Sequence, residues 1–197
     1  MKVLINTTSP FARLARIALL EKGLGFDEQV VNPWGDDADL LAVNPAARVP
    51  AVITDAGTSF SESLLVVLWL EATRPAPSLL DGDKDQIIAK SGLAYGVIEA
   101  AVHTMVGRVI TDAGFDAAPV GLRRRRSILN GFARLEADPP AWHGGTPDLA
   151  VIATVIAWDY VALRFGAAGW LTDFPRIAAL SAQLADRPSF AQTAPFV

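Results

Sequence analysis

A chain of 197 residues, 51% hydrophobic and 19% charged, can bury a core in one large domain or in two small ones. It has no cysteine and only two histidines, His103 and His143. That excludes disulfides, thiolate metal sites and a cysteine nucleophile, and it argues against an ordinary zinc site. A net charge of −4 gives the whole chain no electrostatic pull toward nucleic acid. The opening MKVLINTTSPF reads as a strand, not a signal peptide. The longest apolar stretch, Leu149 to Leu163, is interrupted by Asp159 and is too short to span a bilayer. The expectation is a cytoplasmic protein with no membrane or nucleic-acid partner.

In chain order, Val3-Leu4-Ile5 is an apolar run suited to a buried strand. Ser9-Pro10 then opens a helix, with serine as N-cap and proline in the first turn. Phe11, Leu14, Ala15, Ala18 and Leu19 recur at helical spacing, and Lys22-Gly23 supplies the terminal charge and the left-handed stop. Phe26 to Val31 reads as a second strand, and the polar segment Asp36 to Val43 as a helix after it. Ala51 to Thr54 is a third strand, Asp55-Ala56-Gly57 a turn, Thr58 to Phe60 a short fourth strand, and Glu62 to Ala72 a helix. This is an α/β order with a hairpin at one edge. Arg74-Pro75-Ala76-Pro77 breaks the pattern and marks a linker. Helical patterns alone follow, at about 83–112, 122–136, 147–165 and 174–184, and read as a bundle. The expected division is a first domain over 1–75, a linker over 76–82 and an all-helical domain over 83–197.

Three segments can carry chemistry, and each also has a plain structural use. In Thr7-Thr8-Ser9-Pro10-Phe11, serine need only cap a helix. The same place sets a hydroxyl beside unsatisfied N–H groups and the positive end of a helix dipole, where a bound thiol would ionise. A free thiol has a pKa of about 8.5, and lowering it by two units takes roughly 2.7 kcal/mol. In Arg48-Val49-Pro50, proline either starts a strand with an ordinary trans bond or forms a cis bend that presents the Val49 main chain to a peptide ligand. Ser61-Glu62-Ser63 either caps the next helix or holds an ammonium with the carboxylate and a carboxylate with the hydroxyl.

The remaining polar and aromatic features read as structural. Arg123 to Arg126 are four consecutive helical residues, spread round the circumference, and form no single basic face. Trp158, Tyr160 and Phe165 read as core packing, and His103, in an apolar helical run, as a satisfied core histidine.

Taken in order, these segments resemble the glutathione transferases. TTSPFARLARIALLEKGL resembles that family's first strand-to-helix segment. NPAARVPAVITDAGTSFSESLLVVLWLEA resembles its run of Asn-Pro, a basic residue, Val-Pro, strand, turn and Glu-Ser before a helix. PDLAVIATVIAWDY and LADRPSFAQTAP resemble its interior helix and closing segment. The resemblance implies a thioredoxin-like N-terminal domain, an all-helical C-terminal domain, and glutathione as co-substrate with no metal. It makes Ser9 the thiol-activating residue, where omega-type members carry cysteine, with Thr8 and Thr7 as alternatives. Val49 would pair through its main chain with the cysteinyl residue, Pro50 being cis. Glu62 and Ser63 would hold the γ-glutamyl end, and Arg48, where lysine is common, the glycyl carboxylate. The family dimerises and binds a small hydrophobic electrophile between its domains, where Tyr95, Glu99 and His103 are candidates by position. The interior helix departs from the usual Ser/Thr-x-x-Asp start: Gly145 stands three residues before Asp148, with Thr146 displaced, and glycine is an acceptable cap at a small loss of stability.

The implied activity is conjugation of glutathione to an electrophile in detoxification. Alternatives are glutathione-dependent isomerisation, dehalogenation or peroxide reduction, or a non-catalytic binding or stress-response protein with the same fold.

Overall fold

The structure is a computed structural model that describes residues 1–196 and, of Ala113, the backbone only. It divides into two compact units: residues 1–79 together with the segment from Asp186 onward, and Leu80–Ala185.

The first unit is thioredoxin-like. Its four strands, β1 (Lys2–Ile5), β2 (Asp27–Val30), β3 (Ala51–Ile53) and β4 (Ser59–Ser61), lie in the order β2-β1-β3-β4. β1 and β2 run parallel through the crossover helix α1 (Pro10–Glu21), while β1 with β3 and β3 with β4 are antiparallel. The apolar run Val3-Leu4-Ile5 lies in an inner strand and is fully buried, whereas polar β2 forms an edge, where exposed charge protects against strand addition. Helix α2 (Ala38–Val43) follows β2, and α3 (Ser63–Thr73) follows β4. α1 begins as expected on a Ser9 cap and ends on Gly23, whose φ of 69° lets Leu24 N–H reach the Leu19 carbonyl.

The Lys22 side chain does more than meet the α1 dipole. It is wholly buried, donates to the Arg74 carbonyl at 2.8 Å and pairs with Glu71 at 2.5 Å. Glu71 in turn accepts from Leu79 N–H and the Ser78 hydroxyl, so one half-buried carboxylate gathers the end of α3 and the segment after it.

The second unit holds α4 (Lys84–Ile110), a 3₁₀ turn (Ala113–Ala117), α5 (Pro119–Ala137), α6 (Leu149–Phe165) and α7 (Pro175–Leu184). α4 is long and apolar enough to cross a membrane; here it packs against α5 and α6. Gly131 lets α5 approach α4, since a Cβ there would lie 2.4 Å from Val97 Cγ2. Phe132, Trp158 and Phe174 form an aromatic cluster, and Tyr160 and Phe165 are buried, as core packing requires.

Four details differ from the sequence reading. Proline at N1 starts α5 at Pro119, three residues before the expected Leu122. The cap of α6 is Asp148 itself, whose carboxylate accepts from Val151 N–H at 2.9 Å, so glycine is not needed as cap. His103 is exposed, not buried in the core, because it lies with Glu99 on an outward stripe of α4. The segment from Asp186 onward, with its short helix α8 (Pro188–Ala191), groups with the first unit instead of the helical one. Arg124 and Arg125 are half-buried, and Arg125 packs within the helical unit, 5.3 Å over the Trp170 ring.

Candidate functional site

Strand pairing brings the three sequence segments to one end of the sheet. Leu4 pairs with Ala51, so the exit of β1 toward Ser9 lies beside the entry of β3 from Val49-Pro50. Ala51 also pairs with Ser61, which sets Glu62 and Ser63 at the same end. α1 and α3 both begin there, and their N-terminal N–H groups and positive dipole ends favour anions.

The hydroxyls of the first segment are not equivalent. Ser9 Oγ accepts from Ala12 N–H at 3.2 Å, which occupies a lone pair and leaves the serine proton to donate elsewhere. Thr8 spends its proton on Asn6: its hydroxyl donates to Asn6 Oδ1 at 3.0 Å, and its N–H donates to the same oxygen at 3.2 Å. Thr7 is half-buried.

A buried asparagine organises the second segment. Asn44 Nδ2 donates to the Arg48 carbonyl at 2.7 Å and Asn44 Oδ1 accepts from Ala46 N–H at 3.1 Å, so the loop before Val49 closes on one side chain. The Val49-Pro50 bond is cis. The Val49 side chain packs against the core formed by Leu4, Val31, Leu40 and Ala51. Among the described residues, its main-chain N–H and C=O form no hydrogen bond.

In the third segment Ser63 is fully buried at the first position of α3. Glu62 precedes it with φ of 73°, a conformation that costs a residue other than glycine roughly 1–3 kcal/mol. Its carboxylate lies 3.5 Å from the Arg48 guanidinium; both side chains are largely in solvent, at 45% and 69% exposure. The arrangement therefore sets one carboxylate, one guanidinium, two hydroxyls and two helix N-termini round a stretch of main chain with no hydrogen bond among the described residues. It suits a small ligand that carries both an ammonium and a carboxylate.

Asn6 and Asn44 were not anticipated as organisers of the site. Asparagine two residues before a turn, or beside proline at a helix end, is the signal that could have shown them.

A family model for the glutathione S-transferase N-terminal domain matches residues 8–73. The GST-like protein YibF of Escherichia coli is 30% identical over 99% of this chain and 98% of its own length. The chain belongs to the glutathione S-transferase family. The maleylacetoacetate isomerase of Pseudomonas aeruginosa is likewise 30% identical, over 99% of this chain and 96% of its own. A glutathione S-transferase from Methylobacterium radiotolerans, solved with glutathione sulfonate, superposes with a TM-score of 0.89 at 33% identity over 100% of this chain and 95% of that one. A glutathione S-transferase from Methylobacillus flagellatus, solved with glutathione, gives 0.85 at 27% identity over 99% of each chain.

Proposed function

We propose that this glutathione S-transferase binds glutathione at the described sheet end, ionises its thiol and attaches the sulfur to a small apolar electrophile. The observation that carries this reading is the Ser9 hydroxyl, an acceptor inside its own cap and so a donor toward the ligand. Glu62 takes the γ-glutamyl ammonium, and Ser63 with the α3 N-terminus takes its carboxylate. The Val49 main chain pairs with the cysteinyl residue, and Arg48 meets the glycyl carboxylate. An ion pair as exposed as Arg48 with Glu62 is worth about 0–1 kcal/mol, so a ligand bearing both charges can take over both partners.

In the reaction the thiol proton leaves to solvent, and the thiolate accepts from Ser9 and from N–H groups at the start of α1. Its sulfur then bonds to the electrophilic carbon while the leaving group departs with the bonding pair. The test is a thiolate absorbance titration of the glutathione complex beside transfer kinetics, on wild type and Ser9→Ala. One hydrogen bond to a charged group is worth about 1.5–3 kcal/mol, so Ser9→Ala should slow the reaction roughly ten- to a hundredfold near neutral pH and raise the bound thiol pKa. Equal pKa values in the two proteins would move the role to Thr7 or the main chain. Wild type that binds no glutathione at millimolar concentration in calorimetry would overturn the site.

The likeness to maleylacetoacetate isomerase supports a second reading with the same thiolate. Sulfur adds to a conjugated double bond, the carbon–carbon bond rotates, and the thiolate is expelled, returning glutathione unchanged. An assay of aryl halides, enones and maleyl acids separates the two by whether glutathione is consumed.

The chain acts in the cytoplasm as a homodimer in this reading. Leu64, Leu65 and Leu68, 41–64% exposed along α3, offer an apolar stripe to a second copy. Light scattering should give about twice the 20.9 kDa chain mass.

A further inference from the structure

Helix α1 carries two guanidiniums where its buried position calls for apolar side chains. Arg13 is 6% exposed and Arg16 7%. Both reach the segment from Asp186 onward, over 170 residues away in the chain. Arg13 Nε donates to Thr193 Oγ1 and Arg13 Nη2 to the Phe190 carbonyl, each at 3.5 Å. Arg16 donates to the Thr193 carbonyl at 3.5 Å and the Gln192 carbonyl at 3.2 Å, and clasps Glu28 with bonds of 2.6 and 2.9 Å. At the other end of α1, Glu21 accepts two bonds of 2.6 Å from Arg187 and one from Ser189. The contacts are ordered from both sides. Thr193 donates its own proton to the Ser189 carbonyl at 2.7 Å, which turns a lone pair toward Arg13.

Arg13 links this strap to the chemistry. Its main-chain N–H donates to the Ser9 carbonyl at 3.0 Å and closes the first turn on the capping residue. The residue whose side chain is tied to Thr193 and Phe190 is thus the one that holds the Ser9 carbonyl, while Asn6 holds the Ser9 N–H at 3.1 Å. A donor aimed at a thiolate loses strength steeply with angle and distance.

We infer that Arg13 is a positioning residue for the thiol chemistry: tied to Thr193 and Phe190, it fixes where the Ser9 hydroxyl and the first N–H groups of α1 point. This rests on the proposed role of Ser9. Glutathione binding itself draws mainly on Glu62, Ser63 and Val49, so loss of the tie should act on ionisation and rate more than on affinity.

The experiment compares wild type, Arg13→Met, Arg13→Lys and Thr193→Val by titrating the bound thiol and measuring kcat, glutathione Kd and thermal unfolding. Arg13→Met should raise the apparent thiol pKa by about half a unit or more and lower kcat near neutral pH roughly three- to tenfold, with Kd within about twofold. Thr193→Val, which removes the acceptor at nearly constant volume, should shift both in the same direction by less, and Arg13→Lys should recover part of the loss. Folded variants that unfold at lower temperature but keep the wild-type thiol pKa and kcat would overturn the inference, leaving the tie purely structural. If Arg13→Met does not fold, Thr193→Val alone decides on the same criterion. Wild type that leaves the thiol at its solution pKa would instead overturn the Ser9 reading, and this inference with it.

Discussion

Helices α1 and α6 are both buried nearly all round, and they reach that state by opposite means. In α6, twelve of seventeen residues are buried, and apart from the Thr154 hydroxyl, which has no hydrogen-bond partner among the described residues, the buried side chains are apolar or aromatic. In α1, nine of twelve are buried, two of them arginines, and Lys22 at its C-cap is buried as well. Packing of α6 is a matter of volume, which many apolar sequences can satisfy. Packing of α1 is directional: each guanidinium and ammonium must find its own carbonyl or carboxylate, or its burial costs several kcal/mol. The helix that begins at the candidate site is therefore placed by hydrogen bonds, and the helix at the centre of the other unit by shape.

The harshest test of this contrast is a cavity in α6. Ile156 is fully buried, and Ile156→Ala should cost about 2–5 kcal/mol in denaturant unfolding. The loss should be the same at every pH, because no charge is involved. A loss that varied with pH would break the comparison.

A second test sharpens it at the α1 end. Burial pushes the Glu71 carboxyl up, but Lys22, Leu79 N–H and the Ser78 hydroxyl outweigh it, and the group lies below its ordinary value of 4.5. Stabilisation from this group is complete above that value and drains away as pH falls through the lowered one, where the folded protein also takes up the proton. Glu71→Gln should flatten the acid limb of the stability curve, measured by urea unfolding between about pH 3 and 7. Unchanged acid sensitivity would mean that other carboxylates govern it.

The smallest effect concerns the start of α6. Asp148 caps the helix from a half-buried position, and burial raises its carboxyl despite bonds from Val151 and Ala150 N–H. Asp148→Ala should lose about 1 kcal/mol, as cap removal does, whereas Asp148→Asn keeps an acceptor without the buried charge and should be nearly neutral. Equal losses in both would show that the charge, not the cap, matters.

Most of the fold could be read from the chain because its signals are local. Ser9-Pro10 and Lys22-Gly23 bracket α1, and the α/β order of the first unit follows from periodicity. Ser9, Arg48, Val49, Pro50, Glu62 and Ser63 could be named because their segments resemble, in order, those of the glutathione transferases, and strand pairing brings those segments to one sheet end. What escaped depends on distant partners. Nothing near Arg13 or Arg16 shows that they turn inward, because the carbonyls and hydroxyl that receive them lie beyond residue 189 and the carboxylate that Arg16 clasps, Glu28, is on β2. The segment from Asp186 onward looked like the tail of a bundle for the same reason. His103 was misread because an apolar neighbourhood in sequence does not say which stripe of α4 faces out. Asn44 was seen as half of an Asn-Pro pair, but its grip on the Arg48 carbonyl exists only once the loop is closed.

A unit whose chain departs at residue 79 and returns at Asp186 also constrains how the molecule is made. As the polypeptide emerges from the ribosome, the four strands and α1 are available early, while the carbonyls that receive Arg13 and Arg16 are still about a hundred residues from synthesis. At elongation rates of about 5–20 residues per second that interval is roughly 5–20 s. During it the two arginines stay hydrated and α1 lacks its outer cover, while the helical unit can complete its own core. The segment from Asp186 onward then closes on the part synthesised first, so a message cut short before Thr193 would leave Arg13 and Arg16 without the acceptors on that residue.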